Sequence, residues 1–357
     1  MRRYKEQVNA PRVIAYPKGG IAYNEGFYRA VERLGVTVID GIQSGRWLLE
    51  TVRRGDWVHL HWPSFGYSAK GGGIRLTLFF VRYLLLLLTV RLKGGKLVWT
   101  AHNLLPHKCS GIPSLDIVVR RFVIALSSLV MVHGPEAARI LTARFPAVLP
   151  KIILIPHGHW IGYYPMTTTR AQARDKLGIA HSKFVYLFIG LCAPYKNLDG
   201  LIEAFRSVEG EGVLLVAGKF QDPDYEHRIL GLAEKDSRIR IHSGFIPGDE
   251  MQTYLLACDV VVVPYREILT SGTAMLAMSF GRPVVSVKIG FLRDVVSKEV
   301  GLLFSANDQD ELVRALREVR ELDFDEAQVI DHARQYSFED AAHIFLRAIF
   351  SKKAGRM

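Results

Sequence analysis

Short apolar runs alternate with longer stretches of helical periodicity along almost the whole chain. Val13–Tyr16, Val36–Asp40, Trp57–His61, Leu97–Ala101, Leu129–His133 and Ile152–Ile155 read as strands. Glu25–Leu34, Trp47–Arg53, Ile74–Leu92, Leu115–Leu126 and Glu136–Phe145, lying between them, read as helices. The pattern pauses in PHGHWIGYYPMTTTR, whose Gly, Pro, Tyr and Thr content suits a linker, and then resumes. Strands are expected at Phe184–Ile189, Val213–Ala217, Ile239–His242, Val260–Val263 and Val284–Val287. Helices are expected at Leu198–Ser207, Tyr225–Glu234, Gly248–Ala257 and Thr273–Phe280, with Asp308–Arg320 and Phe338–Phe350 closing the chain.

Strand–helix alternation with continuously apolar strands implies parallel sheets covered on both faces. Two such series predict two doubly wound, Rossmann-like domains, 1–165 and 166–337, with a C-terminal helix in 338–357 placed to return toward the first domain. Ligands of such sheets bind outside the carboxyl ends of the strands. Two of them facing each other would share a central cleft.

The length of 357 residues agrees with two domains. A net charge of +11 favours anionic partners such as nucleotides or phospholipid surfaces. Nucleic acid has only this charge in its favour, because no aromatic–basic platform accompanies it. The three cysteines, Cys109, Cys192 and Cys258, are scattered, with no zinc or disulfide spacing, which suits a reducing cytoplasm. The basic start MRRYKEQVNAPR lacks the apolar segment of a signal peptide. Ile74–Leu92 is apolar on most faces but is interrupted by Arg75, Arg82 and Arg91, with Lys93 and Lys96 beyond. An arginine at mid-bilayer is costly, so this segment reads as a buried or interfacial helix and not a span. Its basic residues suit peripheral contact with an anionic membrane.

Two segments of the second half carry the clearest chemistry. In VVVPYREILTSGTAMLAMSFGRPVV a buried strand leads to Ser271-Gly272-Thr273 at a helix start. Unpaired N–H groups, the positive dipole end, a glycine and two hydroxyls there suit a diphosphate. The alternative is plain N-capping by Ser271. In VYLFIGLCAPYKNLDGLIEAF a strand ends at Gly190 and a loop carries Lys196 ahead of an amphipathic helix. Such a lysine about 4 Å from a phosphate gains about 4 kcal/mol at an effective dielectric near 20. The alternative is an ordinary exposed loop lysine.

The whole chain resembles the bacterial GT-B glycosyltransferases of the group 1 type. The resemblance rests on PYKN at Pro194–Asn197 and VAGK at Val216–Lys219. It rests also on HSGFIPGDEMQTYLLACDVVVVPY at His242–Tyr265 and AMSFGRPVV at Ala277–Val285. HLHWPS at His59–Ser64, WTAHNLLPH at Trp99–His107 and IPHGHW at Ile155–Trp160 extend it through the first half. The resemblance implies a nucleotide diphosphate sugar as donor, held by Gly190, Lys196, Lys219 and the backbone at Ser271, Gly272 and Thr273. Gly244, Phe245 and Ile246 would lie beside the nucleobase, and His102 would approach the transferred sugar. The family's usual pair of glutamates is missing. Ile268 and Leu276 stand at those positions, with Glu267 one place off, as in an exopolysaccharide-like subfamily.

Histidines gather at strand ends: His59 and His61 on one face, then His102, His133, His157 and His159. Taken singly, each suits a structural role. An inverting transfer needs a base near neutral pH, which nominates His61 or His102. With no clustered carboxylates, Cys partner or HExxH helix, neither metal nor other cofactor is expected. The reading that emerges is sugar transfer to a saccharide or lipid-linked acceptor in surface polysaccharide or glycolipid synthesis, at the inner face of the cell membrane. The alternatives are a nucleotide-sugar epimerase, which would need cleft carboxylates, and an inactive nucleotide-binding relative.

Overall fold

The computed structural model describes residues 12–67, 74–106 and 113–354, with backbone alone at 74, 75, 113 and 352–354. Residues 1–11 of the basic N-terminal segment, His107, Cys109 and the side chain of Arg75 lie outside the described residues.

The chain forms two units, Met1–Gly158 with Ser337–Met357, and His159–Tyr336. The first contains β1 (Val13–Tyr16), α1 (Ala22–Arg33), β2 (Val38–Asp40), α2 (Gly45–Thr51), β3 (Trp57–Leu60), α3 (Ile74–Leu92), β4 (Lys96–Thr100), α4 (Pro113–Leu126), β5 (Ser127–Val132), α5 (Pro135–Arg144) and β6 (Ile152–Leu154). The second contains α6 (Arg170–Lys176), β7 (Phe184–Ile189), α7 (Leu198–Arg206), β8 (Gly212–Gly218), α8 (Pro223–Ala233), β9 (Ile239–Ser243), α9 (Met251–Ala257), β10 (Val260–Val263), α10 (Gly272–Ser279), β11 (Val284–Val287), α11 (Gly290–Val295), β12 (Gly301–Phe304), α12 (Gln309–Glu318) and α13 (Glu326–Arg334). The last helix, α14 (Phe338–Ala354), belongs to the first unit.

Each unit is built on a six-stranded parallel sheet, ordered β2-β1-β3-β4-β5-β6 and β12-β11-β10-β7-β8-β9. Central strands such as β1, β8, β10 and β11 are buried throughout or nearly so, which explains their uninterrupted apolar sequences. In both sheets the order reverses once, between β1 and β3 and between β7 and β10. Crevices at such reversals are where doubly wound folds bind ligands.

The division falls at Gly158/His159, seven residues before the expected 165/166. The stretch read as a linker is tied into the second unit. His159 donates its N–H to Tyr336 O at 2.7 Å, and Trp160 donates its N–H to Ser279 Oγ at 2.9 Å. Residues from Ser337 return to the first unit, where α14 lies on α1. Phe345 packs 5.5 Å from Phe27 between ring centroids, and Arg33 pairs with Glu339 at 3.1 Å.

Helix α3 has two apolar faces. Leu76, Tyr83, Leu87 and Val90 are buried, whereas Leu78, Val81, Leu85, Leu88 and Leu92 are exposed. The exposed set repeats every three or four residues, which makes one stripe along the helix. Among the described residues no helix is long and apolar enough to cross a membrane.

Candidate active site

In the second unit, Gly190 and Lys196 follow β7, while Tyr265 and Thr273 follow β10, so the two groups flank the sheet's reversal. Gly190 has φ +115, and a β-carbon there would lie 3.6 Å from Lys196 Nζ and 4.0 Å from Thr273 Oγ1. The space above this glycine is therefore walled by an ammonium and a hydroxyl. Lys196 is buried, with Nζ 4.9 Å from the Tyr265 ring centroid. Burial works against its charge, but the phenols of Tyr265 and Tyr195 more than offset this and hold its pKa above the ordinary lysine value. Among the described residues no carboxylate pairs with it. An uncompensated buried cation of this kind suits an anionic ligand.

The loop bearing Lys196 is anchored from below. Asn197 adopts a left-handed conformation (φ 56) that starts α7. Arg266 bridges to the loop, donating its backbone N–H to the Tyr195 carbonyl at 2.9 Å and Nη1 to the Pro194 carbonyl at 2.8 Å. Asp199 then clamps Arg266 at 3.1 Å and Arg228 at 2.7 Å. Burial would raise the pKa of Asp199, but the two arginines outweigh it and keep the carboxylate below its usual range.

At the start of α10, Ser271 does not cap the helix with its side chain, so the plain capping alternative does not apply. Its Oγ is buried without a hydrogen-bond partner among the described residues, as is Thr270 Oγ1. Tyr265 donates its hydroxyl to Thr273 Oγ1 at 3.2 Å, and Trp160 Nε1 donates to the Gly272 carbonyl at 3.3 Å. Buried, unpartnered hydroxyls in native folds call for an explanation, and a bound ligand supplies one.

The remaining expected donor residues sit around this core. Lys219 is exposed at the end of β8, and its carbonyl accepts from the Cys192 N–H at 2.8 Å. The Gly244 N–H donates to the Gly218 carbonyl at 3.1 Å; Phe245 is 78% exposed and Ile246 is buried. Glu267 is exposed and makes no ion pair among the described residues. Tyr265 and Asp199 lie inside the quoted segments but were given no role from sequence; Asp199 meets its arginines 29 and 67 residues away, and Tyr265 meets Lys196 only in the folded unit.

In the first unit the histidines form one buried cluster. His59 and His61 are 4.2 Å apart between ring centroids, and His102 joins at 5.2 Å from His61, with His133 and His157 behind it. His159 belongs to the second unit. A continuous chain of hydrogen bonds runs Thr100 Oγ1–His59 Nε2 (2.7 Å), His59 Nδ1–Tyr28 Oη (2.9 Å), Tyr28 Oη–His61 Nε2 (2.7 Å) and His61 Nδ1–His102 Nε2 (2.9 Å). Both nitrogens of His61 are committed, so it has no site left for a substrate proton. The Nδ1 of His102 makes no hydrogen bond among the described residues. Burial, then the neighbouring histidines, depresses the pKa of both His61 and His102 well below the ordinary value, so both are neutral at pH 7. Tyr28 was not foreseen; its position on α1 reads as core. Trp62, also unforeseen, stacks on His102 at 4.3 Å between centroids and 11° between planes.

The sequence family described as glycosyl transferases group 1 matches residues 169–336. The match spans most of the second unit. Over 242 residues the chain is 27% identical to a GDP-mannose:glycolipid 4-beta-D-mannosyltransferase of Xanthomonas campestris, covering 65% of this chain and 61% of that protein. The chain thus spans about three fifths of the length of this relative. Sucrose-phosphate synthase from Thermosynechococcus elongatus superposes with a TM-score of 0.72 at 17% identity, covering 97% of this chain and all of that one. HepE from Anabaena, solved in complex with UDP-glucose, gives 0.68 at 17%, again over 97% and 100%. These likenesses show the fold to be GT-B, with two doubly wound units in one chain.

Proposed function

We propose that this protein is a glycosyltransferase that moves a hexosyl group from a nucleotide diphosphate sugar to a glycolipid or other saccharide acceptor. The observation that carries the reading is the buried ammonium of Lys196 beside Gly190 and Thr273, next to a helix start with an unpartnered Ser271 hydroxyl. The donor diphosphate would lie on Gly190, bonded by Lys196 and by the α10 start, which stabilise the charge that develops as the diphosphate leaves. The exposed ring of Phe245, between Gly244 and Ile246, would stack on the base, and Lys219 and Glu267 would reach outlying parts of the donor. Because protein cations and the helix dipole supply the positive charge, the reaction is proposed to need no metal ion or cofactor.

Of the two nominated histidines, His102 is the one able to meet substrate, through Nδ1; His61 positions it. The glycolipid mannosyltransferase among the relatives supports a lipid-linked acceptor. So does the exposed apolar stripe of α3, which also carries the exposed Arg82; the neighbouring helix α4 exposes Arg121 and Phe122. We propose that this face rests on an anionic membrane, as amphipathic interfacial helices do.

The test is nucleotide release from UDP-, GDP-, ADP- and dTDP-sugars in excess EDTA, with and without a bacterial glycolipid extract. The reading expects one nucleotide to be released in an extract-dependent way. No release with any donor, or release that requires added magnesium or manganese, would overturn the activity or its metal independence respectively.

A further inference from the structure

On the face of β3 opposite His59 and His61 lies a concavity that the chemistry above does not use. It is an apolar cavity of about 120 Å³ at the β1/β3 reversal of the first sheet. Val58 and Leu60 of β3 and Leu87 and Val90 of α3 form its buried floor, and the exposed Gln43 and Phe65 stand at its rim. Tyr83, in its wall, has a buried hydroxyl without a hydrogen-bond partner among the described residues. Open at Gln43 and Phe65 and apolar within, a space of this size fits a hydrocarbon segment of about six carbons.

Two neighbours say which hydrocarbon. Trp62 lines the cavity and also stacks on His102, so a chain in the cavity has its head end one indole away from that histidine. Arg82, exposed, donates to the Gln43 carbonyl at the rim at 2.8 Å, placing a cation where an anionic head group would emerge. The outer face of the same helix carries the apolar stripe described above, so the cavity adjoins the surface proposed to meet lipid.

We propose that this cavity receives the head-proximal hydrocarbon of the lipid-linked acceptor, a chain bearing an anionic head group, and holds it against Trp62. The acceptor assignment rests on the glycosyl-transfer reading; the occupancy of the cavity does not. The binding tests therefore contain no nucleotide sugar. 6-Bromohexanol should quench tryptophan fluorescence in the wild-type protein, and Trp62→Phe should remove most of that quenching. 1-Hexanol should raise Tm by about 2 °C or more at saturation, and Val90→Phe, which fills the floor, should abolish the shift. Should Val90→Phe fail to fold, the quenching comparison decides alone. Farnesyl phosphate should displace 6-bromohexanol, whereas vesicles of brominated-tail phosphatidylglycerol should leave Trp62 unquenched. Absence of quenching in the wild type, or equal quenching in Trp62→Phe, would overturn the site. Quenching of Trp62 by the vesicles, or no displacement by farnesyl phosphate, would overturn the acceptor assignment. Nucleotide-sugar binding, measured separately, fails or succeeds independently of all these outcomes.

Discussion

Lys196 and Ser271 should both matter for donor binding. Lys196→Ala removes a charge-assisted bond worth about 1.5–3 kcal/mol, so donor affinity should fall roughly 10- to 100-fold, read by calorimetric titration. Ser271→Ala should weaken donor binding too, yet leave the free protein as stable as before. An N-cap serine would cost about 1 kcal/mol on removal, whereas this hydroxyl has no partner to lose. Urea unfolding separates the two outcomes, and a loss near 1 kcal/mol would restore the capping role. These two positions were legible because a strand end followed by a loop lysine, and a Ser-Gly-Thr helix start, are local signals. Tyr28, Trp62, Tyr265 and Asp199 were not legible. Their roles come from pairing with residues brought close only by the sheet, as Tyr28 meets His59 and His61.

At the level of elements, the sheet strands were readable because a buried parallel strand is a short unbroken apolar run. β1, β7, β10, β11 and α3 begin and end where the sequence places them. The elements missed, α6, α11, β12 and α13, are four to nine residues long and too short to show a period. α9 starts at Met251 rather than Gly248, because the Pro247 carbonyl accepts from the Glu250 N–H in a turn before it. α3 carries the sharpest element-scale prediction. Leu85 and Leu92, 57% and 88% exposed, contribute little to the fold but would enter a lipid surface. Replacing both with Asp should leave Tm nearly unchanged and reduce co-sedimentation with anionic vesicles at least tenfold, at roughly 1.5–3 kcal/mol for each leucine buried. Arg82→Gln should weaken binding at low salt only. Wild-type protein that ignores vesicles of either charge would show that the stripe has another partner.

At the scale of the molecule, the histidine cluster links stability to pH. Burial lowers the folded-state pKa of His59 to about 3 and of His157 to about 4, and depresses His61, His102 and His133 as well. A base depressed in the folded state binds its proton more readily when unfolded. Its stabilising contribution is therefore complete above about pH 6.5 and is lost as pH falls from there toward the folded pKa. Each histidine adds a slope of up to about 1.4 kcal/mol per pH unit. Unfolding free energy should drop steeply between pH 6.5 and 5, before the carboxylates titrate; a flat profile over that window would mean that the cluster is solvated. The central claim concerns the other unit, and thermal denaturation with UDP-, GDP-, ADP- and dTDP-sugars, run on wild type and Lys196→Ala side by side, tests it most directly. The account predicts that one nucleotide series raises Tm in the wild type through mass action and does so far less in Lys196→Ala. A wild type stabilised by none of the four, or a Lys196→Ala protein stabilised equally, would contradict it.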